Sequence, residues 1–154
     1  MRADIEDTSA GLRTWARGIY PLEAGVELLI RTSGGRFAGA SQPWVRPGED
    51  SGWWWVDVTE MNEFSFGVLS GGEARLLRIA ASLLGGAPVD LHNATPGLDR
   101  DHVQLLLAAV AHSSGSPEHR GGLVADPQGR LVGRDGIGLS SERLGSLYPW
   151  PAGG

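Results

Sequence analysis

Lysine and cysteine are both absent from the 154 residues, and all 13 basic side chains are arginine. Without lysine there is no Schiff-base amine, no lysine general base and no P-loop lysine. Without cysteine there is no disulfide framework, no thiolate zinc site and no thiol nucleophile. GC-rich codon usage accounts for the arginine bias, because alanine, 24 glycines and 9 prolines accompany it. No apolar run has the length of a membrane-spanning helix. The opening "MRADIEDTSAG" lacks the apolar stretch of a signal peptide. A basic stripe is missing too: the net charge is −5 and the arginines are scattered. That pattern is the reverse of a phosphate-backbone footprint, so nucleic acid is not an expected partner. A cytoplasmic protein with no membrane association is expected.

What is present fits one domain over residues 1–154, with 41% hydrophobic and 20% charged residues. The first 10 residues are polar and expected to be loosely held, with a short helix from Leu12 toward Gly18. "PLEAGVELLIRTSGG" reads as a helix: Pro21 suits a first turn, and Glu23 complements the positive end of the dipole. Leu22, Val26, Leu29 and Ile30 share one face, and Gly34 or Gly35 is the stop. Gly25 inside it costs about 1 kcal/mol relative to alanine. Two further amphipathic helices are expected. One runs from Gly71 to Leu84 with Leu76, Leu77, Ile79, Ala80, Leu83 and Leu84 inward. The other runs from Arg100 to Ala111, capped by Asp99, with Val103, Leu106, Leu107 and Val110 inward.

Strand signals lie elsewhere. "WWWVDV" over 53–58 alternates so that Trp54, Val56 and Val58 form the core face and Trp53, Trp55 and Asp57 the other. "EFSFGVL" over 63–69 reads as its hairpin partner through "TEMN", with one very short strand over 89–91. "DPQG" over 126–129 has the residues of a type I turn and joins strands over 123–125 and 130–132. The tail 145–154 is extended by Pro149 and Pro151, with Leu147, Tyr148 and Trp150 docking on the body. Helices and hairpins are segregated along the chain. The fold class is therefore α+β, with three main amphipathic helices on short antiparallel strands.

"LSGGE" at 69–73, the helix behind it, and "PGLD" at 96–99 resemble the stretch from signature motif to D-loop of ABC-type ATPases. "RGGLVADPQGRLVGRDG" is similar to the hairpin that follows the switch histidine in that family. The resemblance spans about 45 residues counting that hairpin and implies a nucleotide-linked or anion-binding site at Ser70, Gly71 and Gly72, with Asp99 as the D-loop position. No Walker A motif accompanies it, and Asn93 and Ala94 stand where the metal-binding and water-polarising carboxylates belong. The same residues have a local reason. Ser70-x-x-Glu73 is a capping box in which the hydroxyl takes the Glu73 amide and the carboxylate reaches back to the Ser70 amide. Asp99 caps the next helix. "AGVELLIRTSGGRF", "LSGGEARLLRIAASLL" and "PGLDR" together resemble small proteins of GC-rich bacteria and their mobile elements, a likeness that implies no mechanism.

Catalytic and metal patterns are thin. There is no GxSxG, and no serine, histidine and carboxylate stand in a triad pattern. His102 and His112 lie about 80° and about 15 Å apart on one helix, so they do not share a metal. His112 with Glu118 and His119 would form one only if the loop folds back. Asp90 with His92 and Asp99 with His102 are pairs that helix caps produce. No catalytic residue, metal or cofactor is expected. Six tryptophans, three of them consecutive, are the main functional signal. Neighbours on a strand face opposite ways, so either a helix or the tail, with Trp150, covers the second face, or an aromatic patch is exposed. In the second case Trp53 and Trp55, with Trp44 and Arg46 of the proline-rich loop, form a surface for a protein partner. The expectation is a protein-binding module, with the Ser70–Gly72 helix start as an alternative anion site.

Overall fold

The computed structural model describes residues 2–115, 119–120, 123–133, 142–143 and 145–152. It is an α+β fold in which helices make the body and, among the described residues, strands pair in antiparallel twos. The first helix, α1, runs from Arg2 to Ala16, with Thr8 and Ser9 buried. The expected loose N-terminus is therefore a helix. Its polar residues are accommodated because the Thr8 hydroxyl donates to the Asp4 carbonyl one turn back. Gly18, at φ 88°, ends the connection and α2 follows over Tyr20–Arg31 with Pro21 in its first turn. Thr32 terminates α2 rather than Gly34 or Gly35. A 3-10 segment, Thr32–Ala38, then carries Ser33, Gly34 and Gly35 through left-handed conformations.

Helix α2 is the centre of the molecule, packed against α1, α4 (Gly71–Gly85) and α6 (Arg100–Ser113). Its buried residues are Ala24, Gly25, Val26, Leu28 and Leu29. A Cβ on Gly25 would lie 2.5 Å from Leu84 Cγ, so the glycine sets how closely α2 and α4 approach. On α4 the inward face is the expected one, with Leu76, Leu77, Ile79, Ala80 and Leu84 buried. On α6 it is not. Leu105, Leu106, Ala108 and Ala109 are buried, whereas Val103, Leu107 and Val110 are exposed. The helix is rotated so that Ala108 and Ala109 lie inside, where small side chains permit close packing.

Strand β1 (Val45–Pro47) pairs antiparallel with β2 (Trp54–Val56), with Arg46 opposite Trp55 and Val45 opposite Val56. Residues 63–69 do not supply the partner. Asn62 accepts hydrogen bonds from the Phe64 and Ser65 amides and starts the short helix α3, Glu63–Phe66, so Phe66 is buried and Phe64 is 96% exposed. Likewise Asp90 caps a helical turn, α5 (Leu91–Ala94), where a short strand was expected. The hairpin around "DPQG" does form, from β4 (Leu123–Ala125) and β5 (Leu131–Gly133). The Gly129 amide donates to Asp126 O at 2.8 Å, and φ at Gly129 is 77°. Strands β3 (His119–Arg120) and β6 (Glu142–Arg143) make a third antiparallel pair. Among the described residues no helix is long and apolar enough to cross a membrane.

Candidate functional site

The ribbon β1–β2 resolves the run of tryptophans. Gly11 of α1 lies against Trp54, since a Cβ there would be 2.5 Å from Trp54 Cδ1 and 2.7 Å from Gly52 O. Helix α1 thus covers the Trp54 side, where Val56 is buried and Trp54 half-buried. Trp53 and Trp55 face outward, 45% and 36% exposed. Both conclusions follow from the two-residue period of a strand, with the covering helix deciding which face became the inside.

Trp53 is held in place rather than free. Its backbone closes the turn: Trp53 N donates to Asp50 O at 3.1 Å, and Gly48 N donates to Trp53 O at 2.8 Å. Its ring lies on Gly48, where a Cβ would meet Trp53 Cδ1 at 2.0 Å. Gly48, Glu49, Asp50, Trp53 and Trp55 line one shallow depression. Arg46 borders it from β1, with Nη2 3.4 Å from Glu60 and Nε 4.0 Å from Asp57, both loose, partly exposed pairs. The rim is therefore acidic and the floor aromatic.

Trp44 does not belong to this surface, contrary to the sequence expectation. It is 1% exposed, its Nε1 donates to Phe37 O at 2.9 Å, and its ring packs on Phe37 and Phe66. A buried indole needs a partner for its N–H, and the 3-10 segment supplies a carbonyl for it. Trp150 does dock, between His112 and Arg31, with the Arg31 guanidinium 5.2 Å from its ring centroid and Arg31 Nη1 donating to Pro151 O. Its Nε1 is buried without a hydrogen-bond partner among the described residues. Tyr148 is half-covered and Leu147 is exposed, so the tail is anchored mainly at Trp150.

At the start of α4 the capping box is half formed. Ser70 Oγ accepts from Glu73 N at 3.3 Å, but the Glu73 carboxylate turns away to Ser33 Oγ at 2.8 Å and Arg36 Nη2 at 2.5 Å. It ties α4 to the segment after α2 instead of closing on Ser70. Gly71 has open space around it, whereas a Cβ on Gly72 would meet His102 Nδ1 at 3.1 Å and Gly97 O at 3.5 Å. The "LSGGE" and "PGLD" stretches thus pack on each other. Asp99 caps α6 by accepting from His102 N at 2.8 Å, and Asp90 accepts from His92 N at 3.0 Å, as expected of both. His102 Nδ1 lies 3.3 Å from Asp99 Oδ2, and this buried nitrogen has no hydrogen-bond partner among the described residues.

His112 meets Glu23 of α2, with 2.7 Å between Nε2 and Oε2. Desolvation pushes the Glu23 carboxyl up, but the Gly18 amide and His112 outweigh it and hold it below the ordinary range. The alternative grouping of His112 with Glu118 and His119 lies outside the described side chains. Among the described residues no cluster of histidines and carboxylates is arranged to hold a metal. One feature was missed in the sequence: the exposed apolar stripe Val103, Leu107 and Val110 on α6. Set against family models, curated proteins and solved structures, the chain matches none of them.

Proposed function

We propose that this protein works by binding another protein through the outer face of the β1–β2 ribbon, with Trp53 and Trp55 as anchors and Arg46 beside them. One observation carries the reading: two adjacent tryptophans are left uncovered on a ribbon whose opposite face is packed under α1. Exposed indoles bring little benefit to a free protein, yet they are the side chains that most often dominate interface energies. The Gly48 platform adds rigidity, so little side-chain entropy is lost when Trp53 is covered. Glu49, Asp50, Asp57 and Glu60 around the patch favour a partner that presents apolar and basic groups together. Cytoplasmic placement belongs to the same proposal, since the partner would then be an intracellular protein.

The test is quantitative capture from a lysate of the native host with three baits: wild type, Trp53→Ala/Trp55→Ala, and Val103→Ser/Val110→Ser on α6. Proteins held by wild type and the α6 variant should fall at least tenfold with the tryptophan variant, whose thermal unfolding stays cooperative. Equal capture by wild type and the tryptophan variant overturns the reading. So does unfolding of the tryptophan variant, which would make these side chains structural, as Trp44 is.

A further inference from the structure

We infer that the outer face of α6 is a self-association surface, on which a second copy of this chain packs its own α6 antiparallel across a two-fold axis near Leu107. Val103, Leu107 and Val110 are exposed there at spacings of four and three. One step further each way, the same row holds Arg100 and Ser114. Alternating steps of three and four keep a stripe turned toward one neighbouring helix, which is what a helix pair requires. Gln104 and Ala111 flank the stripe, so a helix laid on it meets uncharged side chains. The core contacts of α6 use another face, that of Leu105, Leu106, Ala108 and Ala109. The stripe is thus surplus to the packing of a single chain.

Shape and charge select a second copy and its direction. Beside Val103 lies a depression of about 400 Å³ lined also by Leu98, Asp99, Arg100, Gln104 and Tyr148. Val110, the most exposed residue of the stripe, stands seven residues further on, about 10 Å along the axis. One face therefore carries a recess at one end and a knob at the other. Two copies laid antiparallel bring each Val110 to the other's recess and Leu107 beside Leu107. Such a contact uses the same patch twice and closes as a dimer. Arg100 is the one charge in the row. Antiparallel pairing sets it against the C-terminal end of the other copy's α6, the negative end of the helix dipole. Parallel pairing would set two Arg100 side chains together and leave both recesses empty. Asp99, at the same end, is turned to the His102 amide as the helix cap.

The surface is tested by sedimentation equilibrium of the whole chain from micromolar to millimolar concentration. The expected result is a reversible monomer–dimer equilibrium. Leu107→Asp should weaken it at least tenfold, whereas Trp53→Ala/Trp55→Ala leaves it unchanged. Direction is read from cross-linking, which the absence of native cysteine makes clean. An equimolar mixture of Val103→Cys and Val110→Cys chains should form disulfide-linked dimers at least tenfold faster than either chain alone under the same mild oxidant. A monomer at every concentration overturns the inference. So does a dimer untouched by Leu107→Asp, or one lost with the two tryptophans, which would place the contact on the ribbon. Val103→Cys alone linking as fast as the mixture overturns the antiparallel arrangement. Should Leu107→Asp fail to fold, the cysteine pair decides: no preference for the mixture overturns the surface.

Discussion

Gly25 lies in the middle of α2, and Leu84 of α4 rests on its backbone. Helix propensity alone says alanine is better there by about 1 kcal/mol. The crossing reverses that sign, because a methyl group would meet Leu84 Cγ at 2.5 Å and Ala80 O at 3.3 Å. Gly25→Ala should therefore destabilise the protein by about 1–3 kcal/mol in urea unfolding. Combining it with Leu84→Ala should cost less than the two losses added, since the second change makes room for the first. Glu27 is a second residue whose role depends on its neighbours. Arg13 Nε and Arg31 Nε approach its carboxylate at 2.6 and 2.7 Å. Burial pushes this carboxyl up, and the two guanidinium groups outweigh burial and hold it below the ordinary glutamate range. A carboxyl lowered in the folded state contributes stability above its unfolded pKa and loses it as pH falls through the folded value. Stability should thus decline on acidification below the ordinary glutamate range, and Glu27→Gln should flatten that part of the profile measured by urea unfolding at successive pH values.

Among the elements, α4 was the most legible. Its cap and its apolar period agree, and Ser70, Leu76 and Leu77 play the parts expected of them, while the structure adds Gly86 as its left-handed C-cap. Ser70→Ala should cost about 1 kcal/mol and speed amide exchange at Glu73, in the first turn of α4. The second arm of the box was not legible, because Glu73 finds Ser33 and Arg36 across the fold. Helix α6 was legible as a helix but not in its rotation. Ranking side chains by hydropathy selects Val103, Leu107 and Val110, while packing against α2 selects Ala108 and Ala109 for their size. Residues 63–69 show a different limit. Phe64 and Phe66 at a spacing of two look like a strand, but Asn62 satisfies two amides as a helix cap, and that local bond wins over a run this short.

At the scale of the molecule the tryptophans sort themselves by what covers them. Trp44→Ala removes a side chain 1% exposed and should cost about 3–5 kcal/mol, seen as a large fall in the urea midpoint. Trp53→Ala and Trp55→Ala remove outward-facing side chains and should cost about 1 kcal/mol each in the same measurement. The sequence by itself determined the exclusions: no lysine or cysteine chemistry is open to a chain with neither residue. It determined as well where the long helices lie and which residues cap them, because caps and periodicity act within a few residues of one another. Only the tertiary structure decided that α1 lies on Trp54 and leaves Trp53 and Trp55 outside, and that Trp44 is core. These depend on contacts between residues far apart in the chain. A local pattern specifies that a helix or strand has two faces, and the element packed against it specifies which face is buried.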